Sequence, residues 1–256
     1  MTTTAAEPFG RLRRLNLIVG LIHLAQGILI LALSNGFSIP VVAAFQDGPP
    51  GTALPQPSVL FDMPFAVIIA VFLFFAAADH ILMAFGGIRR WYERNLANTV
   101  NYARWIEYSI SSSLMVILIA MLTGITGFYA LLGLFGVNSS MILFGILQER
   151  FNRQDEGRVD WWPFIFGSVA GIVPWLAIAF ALGGSVQEGS EVPGFVFGIF
   201  VSLFVFFNSF AINQVLQYKR VGKWRDYLYG ERAYILLSLG AKSVLAWQVF
   251  GGTLAD

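Results

Sequence analysis

His23, His80, Glu107 and Lys242 each lie inside a long apolar run of this 256-residue chain. Placing a charge at the centre of a membrane-length apolar segment costs about 2.5–3.5 kcal/mol on insertion scales, so each is a candidate for function. Burial weakens a lysine's hold on its proton, and the freed amine condenses with an aldehyde to an imine. Once protonated, the imine is a buried cation that needs a counterion, and Glu107 is the well-placed carboxylate. Histidine, with an ordinary pKa near 6.5, suits the acceptance and relay of a proton. Three plainer roles compete. Lys242 would have to snorkel to an interface, but a stem of about 6 Å falls short from its depth. Lys242 and Glu107 would form a structural ion pair, or the histidines would simply hydrogen-bond neighbouring helices.

The surrounding composition decides what kind of element carries these groups. Hydrophobic residues make up 57% of the chain and charged residues 12%, against roughly 25% charged in an average soluble domain. A soluble enzyme, a nucleic-acid binder and a disordered chain are excluded. Cysteine is absent and histidine occurs twice, so disulfides, thiolate chemistry and a metal site are not expected. Seven apolar runs, each near the ~20 residues that span a bilayer, predict an all-α membrane protein with a seven-transmembrane-helix bundle over a single domain, residues 1–256. The expected spans are Leu15–Ser34, Met63–Ile88, Val100–Leu122, Phe128–Gln148, Trp162–Leu182, Pro193–Gln217 and Arg232–Phe250.

Lysine and arginine fall on one side of these spans. Fourteen of 16 precede the first or follow the second, fourth and sixth, from Arg11 through Arg89, Arg153 and Lys219 to Arg232. The opposite loops and the tail 251–256 hold none, and Arg104 and Lys242 lie within spans. The bias predicts a multi-pass cell-membrane protein with a cytoplasmic N-terminus and an extracellular C-terminus. One loop is long: residues 35–62 form an external connection containing Pro40, Pro49, Pro50, Pro55 and Pro57, with Phe37–Phe45 a candidate strand. Such a length points to a flexible tether, a cap or a dimer contact. Trp91, Trp161, Trp162, Trp224, Tyr227 and Tyr229 fit an interfacial aromatic belt. The basic stretch Lys219–Arg225 is a lipid-facing loop or a docking surface for a cytoplasmic partner.

At 1.5 Å per residue, His23 lies roughly 12 Å, His80 roughly 13 Å, Glu107 roughly 11 Å and Lys242 roughly 15 Å from the cytoplasmic ends of their spans. Four ionisable groups on four helices thus share one level. Ser238 lies one turn from Lys242 on its face. Asn101, Arg104, Glu107, Tyr108 and Ser111 make one polar stripe, and Asn16, His23 and Gln26 make another. Arg104 and Glu149 sit at the right end to pair across helices, and Asp79 suits helix–helix bonding. Seven helices, a lysine in the seventh and an acid in the third describe a retinylidene protein, with aromatic side chains from the Phe-rich spans two and six walling the pocket.

The chain resembles the microbial rhodopsins, and within them the heliorhodopsins. The resemblance is carried by Asn101-Tyr102-Ala103-Arg104-Trp105-Ile106-Glu107-Tyr108-Ser109, by Ser238-Leu239-Gly240-Ala241-Lys242, and by His23 and His80. It implies all-trans retinal bound covalently to Lys242 as a protonated Schiff base, with Glu107 as counterion. It implies that Ser238 stands where proton pumps of this superfamily have a second aspartate, and that His23 and His80 line a polar cavity. Tyr108, Asn138 and Phe206 align with positions flanking the polyene. A homodimer and an inverted membrane orientation are also implied, the latter agreeing with the arginine count.

The expected function is light sensing through a retinal photoreceptor, not enzyme catalysis. Its Schiff-base proton would move toward Glu107, His23 and His80, with Gln26, Asn101, Arg104 and Ser111 as further members of the proton-transfer region. Light-driven ion transport is the alternative, but Leu118 stands where a pump's third span has a carboxylic donor, and no carboxylate occurs in the outer half of the spans. A non-retinal seven-helix transporter or receptor is the third possibility.

Overall fold

The computed structural model describes residues 6–51, 56–152, 157–189 and 191–255; Pro55 and Arg153 of the sequence expectations, and the two chain ends, lie outside these. In chain order come α1 Ala6–Leu33, strands β1 Ser38–Ala43 and β2 Ser58–Pro64, α2 Phe65–Leu82, α3 Gly86–Ala97, α4 Tyr102–Leu122, α5 Phe128–Phe151, α6 Trp162–Gln187, α7 Gly194–Tyr218 and α8 Tyr227–Val249. A π turn, Phe250–Leu254, extends α8. All but α3 are long and apolar enough to cross a membrane, which makes this a seven-helix, multi-pass membrane protein.

The second span departs from its expected boundaries at both ends. The second span stops at Leu82, not Ile88: the chain turns through Met83–Phe85, and Gly86 adopts φ +57°, a left-handed conformation that glycine tolerates without steric cost. The helix α3 that follows carries Arg89, Arg90 and Arg94, so it cannot continue an apolar span; it buries only Tyr92 and Leu96. At the other boundary, Met63 belongs to a strand. β1 and β2 pair antiparallel, with Ser38 opposite Pro64 and Val41 opposite Phe61. The expected strand at Phe37–Phe45 is therefore present as β1, and its partner gives the long loop structure of its own. Val42 N–H donates to Thr126 O at 3.0 Å, tying the hairpin to the α4–α5 turn.

The helices form a closed arrangement in which α1 packs on α2 and α8, α2 on α4, α4 on α5, α5 on α6, and α7 on α8. α4 is the central helix, most of it buried, with Met115–Met121 in the main apolar core. α6 and α7 meet through aromatic side chains: Trp175 lies 5.8, 5.3 and 5.3 Å from the rings of Phe200, Phe204 and Phe207. Helices held apart by large rings leave room between them, and that room is where the site lies.

Candidate functional site

Glu231, Ile235, Ser238 and Lys242 succeed one another on α8 at intervals of four, three and four residues, so they form a single inward-facing stripe. Asp226 sets the start of that helix by accepting from Leu228 N–H at 3.0 Å. On α4, Asn101 does the same work: its side chain accepts from Arg104 N–H at 3.1 Å. These two caps set where the helices begin, and the polar stripes of α4 and α8 meet through Arg104–Glu231 and Glu107–Lys242.

Lys242 Nζ donates to Ser238 Oγ at 2.7 Å and to Glu107 Oε2 at 3.2 Å. It also lies 4.8 Å from the centre of the Tyr108 ring, within cation–π range. Lys242 and Glu107 are each 3% exposed. Removing one partner from so buried a pair leaves an uncompensated charge, which is strongly destabilising. Glu107 Oε1 has no partner among the described residues.

A cavity of about 340 Å³ between α4, α5, α6 and α7 has Lys242 and Ser238 of α8 in its wall. Tyr108, Ser111 and Met115 form part of one wall, and Trp175, Phe207 and Phe210 part of another. Its size falls in the range of small-molecule sites, which are mostly apolar with few polar groups. On α5 and α6 the wall includes Gly145, Gly167 and Gly171. A Cβ at Gly145 would overlap the Trp105 ring, and one at Gly171 would overlap Met141, so the cavity depends on their missing side chains. A buried amine in the wall of a mostly apolar cavity, hydrogen-bonded to a carboxylate, fits an apolar aldehyde bound covalently at Nζ.

The other candidate residues separate into distinct places. His23 and His80 stack at 5.9 Å with ring planes 12° apart. His80 Nδ1 lies 2.7 Å from Asn16 Oδ1, while neither nitrogen of His23 has a partner among the described residues. Both imidazoles lie within electrostatic range of Lys242. Ser111 is in the cavity wall with its hydroxyl unpartnered. Gln26 instead exchanges hydrogen bonds with Ser243, at 2.9 and 3.1 Å, and ties α1 to α8. Asn138 stands one layer behind the cavity, donating to Ser112 Oγ at 2.9 Å and Ser113 Oγ at 3.0 Å. Phe206 packs toward Gly240 and is not part of the wall, where its neighbour Phe207 stands.

Asn101 and Arg104 belong to a second buried cluster nearer the end of the bundle that carries the basic loops. Arg104 pairs with both Glu149 and Glu231. The expected Arg104–Glu149 pair is therefore present, and Glu231 is a partner that the sequence expectations omitted. Its signal was available, since Glu231 lies three turns below Lys242 on the same face. Starting the seventh span at Arg232 hid it. Trp175, by contrast, had no distinguishing signal among many aromatic residues.

A family model described as Heliorhodopsin matches residues 12–254. Comparison with the curated proteins finds no match. Among solved structures, the chain is similar to the light-driven proton pump LR (Mac) from Leptosphaeria maculans, with TM-score 0.65, 16% sequence identity and 95% of each chain covered. At that identity the likeness speaks for a microbial-rhodopsin fold and not for pumping.

Proposed function

The chain belongs to the heliorhodopsin family, whose members are retinal photoreceptor-type proteins with a covalently bound chromophore, and we propose that this one is a light sensor carrying all-trans retinal on Lys242. The observation that carries this is the buried amine of Lys242, paired with Glu107 and Ser238 in the wall of the aromatic cavity. Retinal bound there supplies a light-driven change of shape and of proton affinity at Nζ.

The protein's own groups then have defined work. Glu107 balances the positive charge at Nζ, and its carboxylate, held to Nζ through Oε2 at 3.2 Å, is the acceptor for a proton leaving it. Ser238 orients the N–H without competing for the proton, because a hydroxyl carries no charge. His23 and His80 offer ring nitrogens within electrostatic range of Lys242, a relay that returns the proton to its origin. Groups this close titrate together. Tyr108, Phe207, Phe210 and Trp175 keep water from the apolar part of the slot. Changed helix packing is the signal.

A pump needs a donor on the opposite side of the chromophore from the acceptor. Leu118, eleven residues beyond Glu107, is fully buried in apolar core, and no ionisable side chain offers a route there among the described buried residues. Sensing is favoured on that asymmetry. The rest of the proposal follows the arginine distribution and the family: a single domain with a cytoplasmic N-terminus, an extracellular C-terminus, a homodimeric assembly and a cytoplasmic signalling partner at the basic loops.

The test is illumination of retinal-supplied cells expressing the protein, with external pH recorded before and after a protonophore. A photocycle in the purified protein without a protonophore-sensitive pH change in cells agrees with a sensor. A sustained, protonophore-sensitive pH change contradicts it.

A further inference from the structure

The lipid-facing surface of α2 continues past the end of its span. Val71, Phe75, Ala78 and Leu82 are exposed at intervals of four, three and four residues, a single outward stripe on that helix. Beyond Leu82 the series goes on through Phe85, Ile88 and Trp91, each large, apolar and exposed. Ile88 and Trp91 lie one turn apart on α3 and so share a flank of it.

The inner side of α3 fixes its level. Tyr92 and Leu96 pack in a small apolar cluster with Leu12 of α1, Ala103 of α4 and Tyr227 of α8. Ala103 and Tyr227 stand at the very start of their helices, so α3 sits where the spans leave the apolar layer. Its outer side is cationic. Arg89 pairs with Glu93 at 3.5 Å, whereas Arg90 and Arg94, both exposed and one turn apart, have no ion pair among the described residues. From α1 the Arg13 guanidinium lies 5.8 Å from the centre of the Phe85 ring, and its Nε has no partner among the described residues.

An apolar flank, an interfacial tryptophan and unpaired cations are what hold a helix in the headgroup layer of a bilayer. In water Phe85, Ile88 and Trp91 would stay uncovered; in that layer lipid covers them, and a guanidinium meets a phosphate through two N–H groups. We propose that α3 is an interfacial helix whose Arg90 and Arg94, with Arg13 of α1, bind the headgroups of anionic phospholipids. Continuity with the α2 stripe and the sign of the charge select an anionic lipid surface over a protein partner. The site lies on the outside of the bundle and does not depend on a chromophore.

The chain contains no cysteine, so one introduced thiol carries one nitroxide. The full chain is reconstituted in vesicles of phosphatidylcholine with a minority of phosphatidylglycerol. A label at Ile88→Cys should be relaxed more by oxygen, and one at Ala97→Cys, exposed on the opposite side of α3, more by a water-soluble nickel chelate. Equal access of the chelate to both would place the apolar flank in water and overturn the proposal. Spin-labelled phosphatidylglycerol should also be immobilised at the unlabelled protein in preference to spin-labelled phosphatidylcholine. Arg90→Gln combined with Arg94→Gln should bring the two lipids close to equality. An unchanged preference would overturn the proposal. So would an equal fall on combining Lys219→Gln with Lys223→Gln, which removes the same charge between α7 and α8.

Discussion

Lys242 and Glu107 come from α8 and α4 to form an ion pair at 3.2 Å in which only one carboxylate oxygen is engaged. The pair is strong enough to hold a cation at Nζ, and its carboxylate is the acceptor for a proton leaving Nζ. Glu107→Gln keeps the shape and removes the charge. An opposite charge at this distance stabilises the protonated form by about 1–3 pKa units. The variant's retinal-dependent visible band should therefore bleach at a lower pH than the wild type's. A pH titration of the absorption spectrum measures this, and an unchanged midpoint would mean that another group balances the charge.

Arg104 should be among the least replaceable residues. Arg104→Met leaves Glu149 and Glu231 buried together, and breaking a buried pair by deleting one partner costs about 3–5 kcal/mol. Glu231→Gln leaves Arg104 matched by Glu149 and should cost less. Thermal denaturation of the two variants in detergent compares them directly; equal losses would mean that Glu149 alone does not hold Arg104.

Gly145→Ala tests the shape of the cavity. The added methyl would meet the Trp105 ring, and Trp105 Nε1 also holds Glu149. Overpacking of this kind costs about 1–3 kcal/mol. Lower thermal stability with slower retinal uptake is expected, read from the growth of the visible band after retinal is added. Wild-type uptake and stability would show that the part of the cavity beside Gly145 is unused.

The histidine pair makes a kinetic prediction. His80→Phe removes the bond to Asn16 and leaves that buried amide short of a partner, a loss of about 1–3 kcal/mol. If the imidazoles return the proton, His23→Phe and His80→Phe should each slow the recovery of the dark spectrum after a flash, with little change in the dark band. Flash photolysis at fixed pH measures it; unaltered recovery in both would remove the pair from the relay.

Much of the fold and of the Lys242 site is legible in the residues alone because a membrane simplifies the reading: apolar length gives the spans, and rare buried charges stand out against them. Lys242, Glu107 and Ser238 meet because spacing along two helices fixes their faces. Boundaries are harder. α1 extends to Ala6 because its first turns, with Arg11, Arg13 and Arg14, can be helical outside an apolar layer, and α3 forms from a charged stretch for the same reason. Glu231 escapes a hydropathy reading because hydropathy ends a span at its first charges, whereas helical phase continues through them. The placement of Phe207 in the wall, with Phe206 turned toward Gly240, depends on a rotation that neighbouring, chemically identical residues do not reveal.

The central claim is that Lys242 binds retinal covalently. Visible absorption of detergent-solubilised protein, expressed with and without all-trans retinal and beside Lys242→Ala, tests it most directly. The account predicts a retinal-dependent band well to the red of free retinal, absent from the variant. A well-folded wild-type protein without that band, or a variant that keeps it, would contradict the claim.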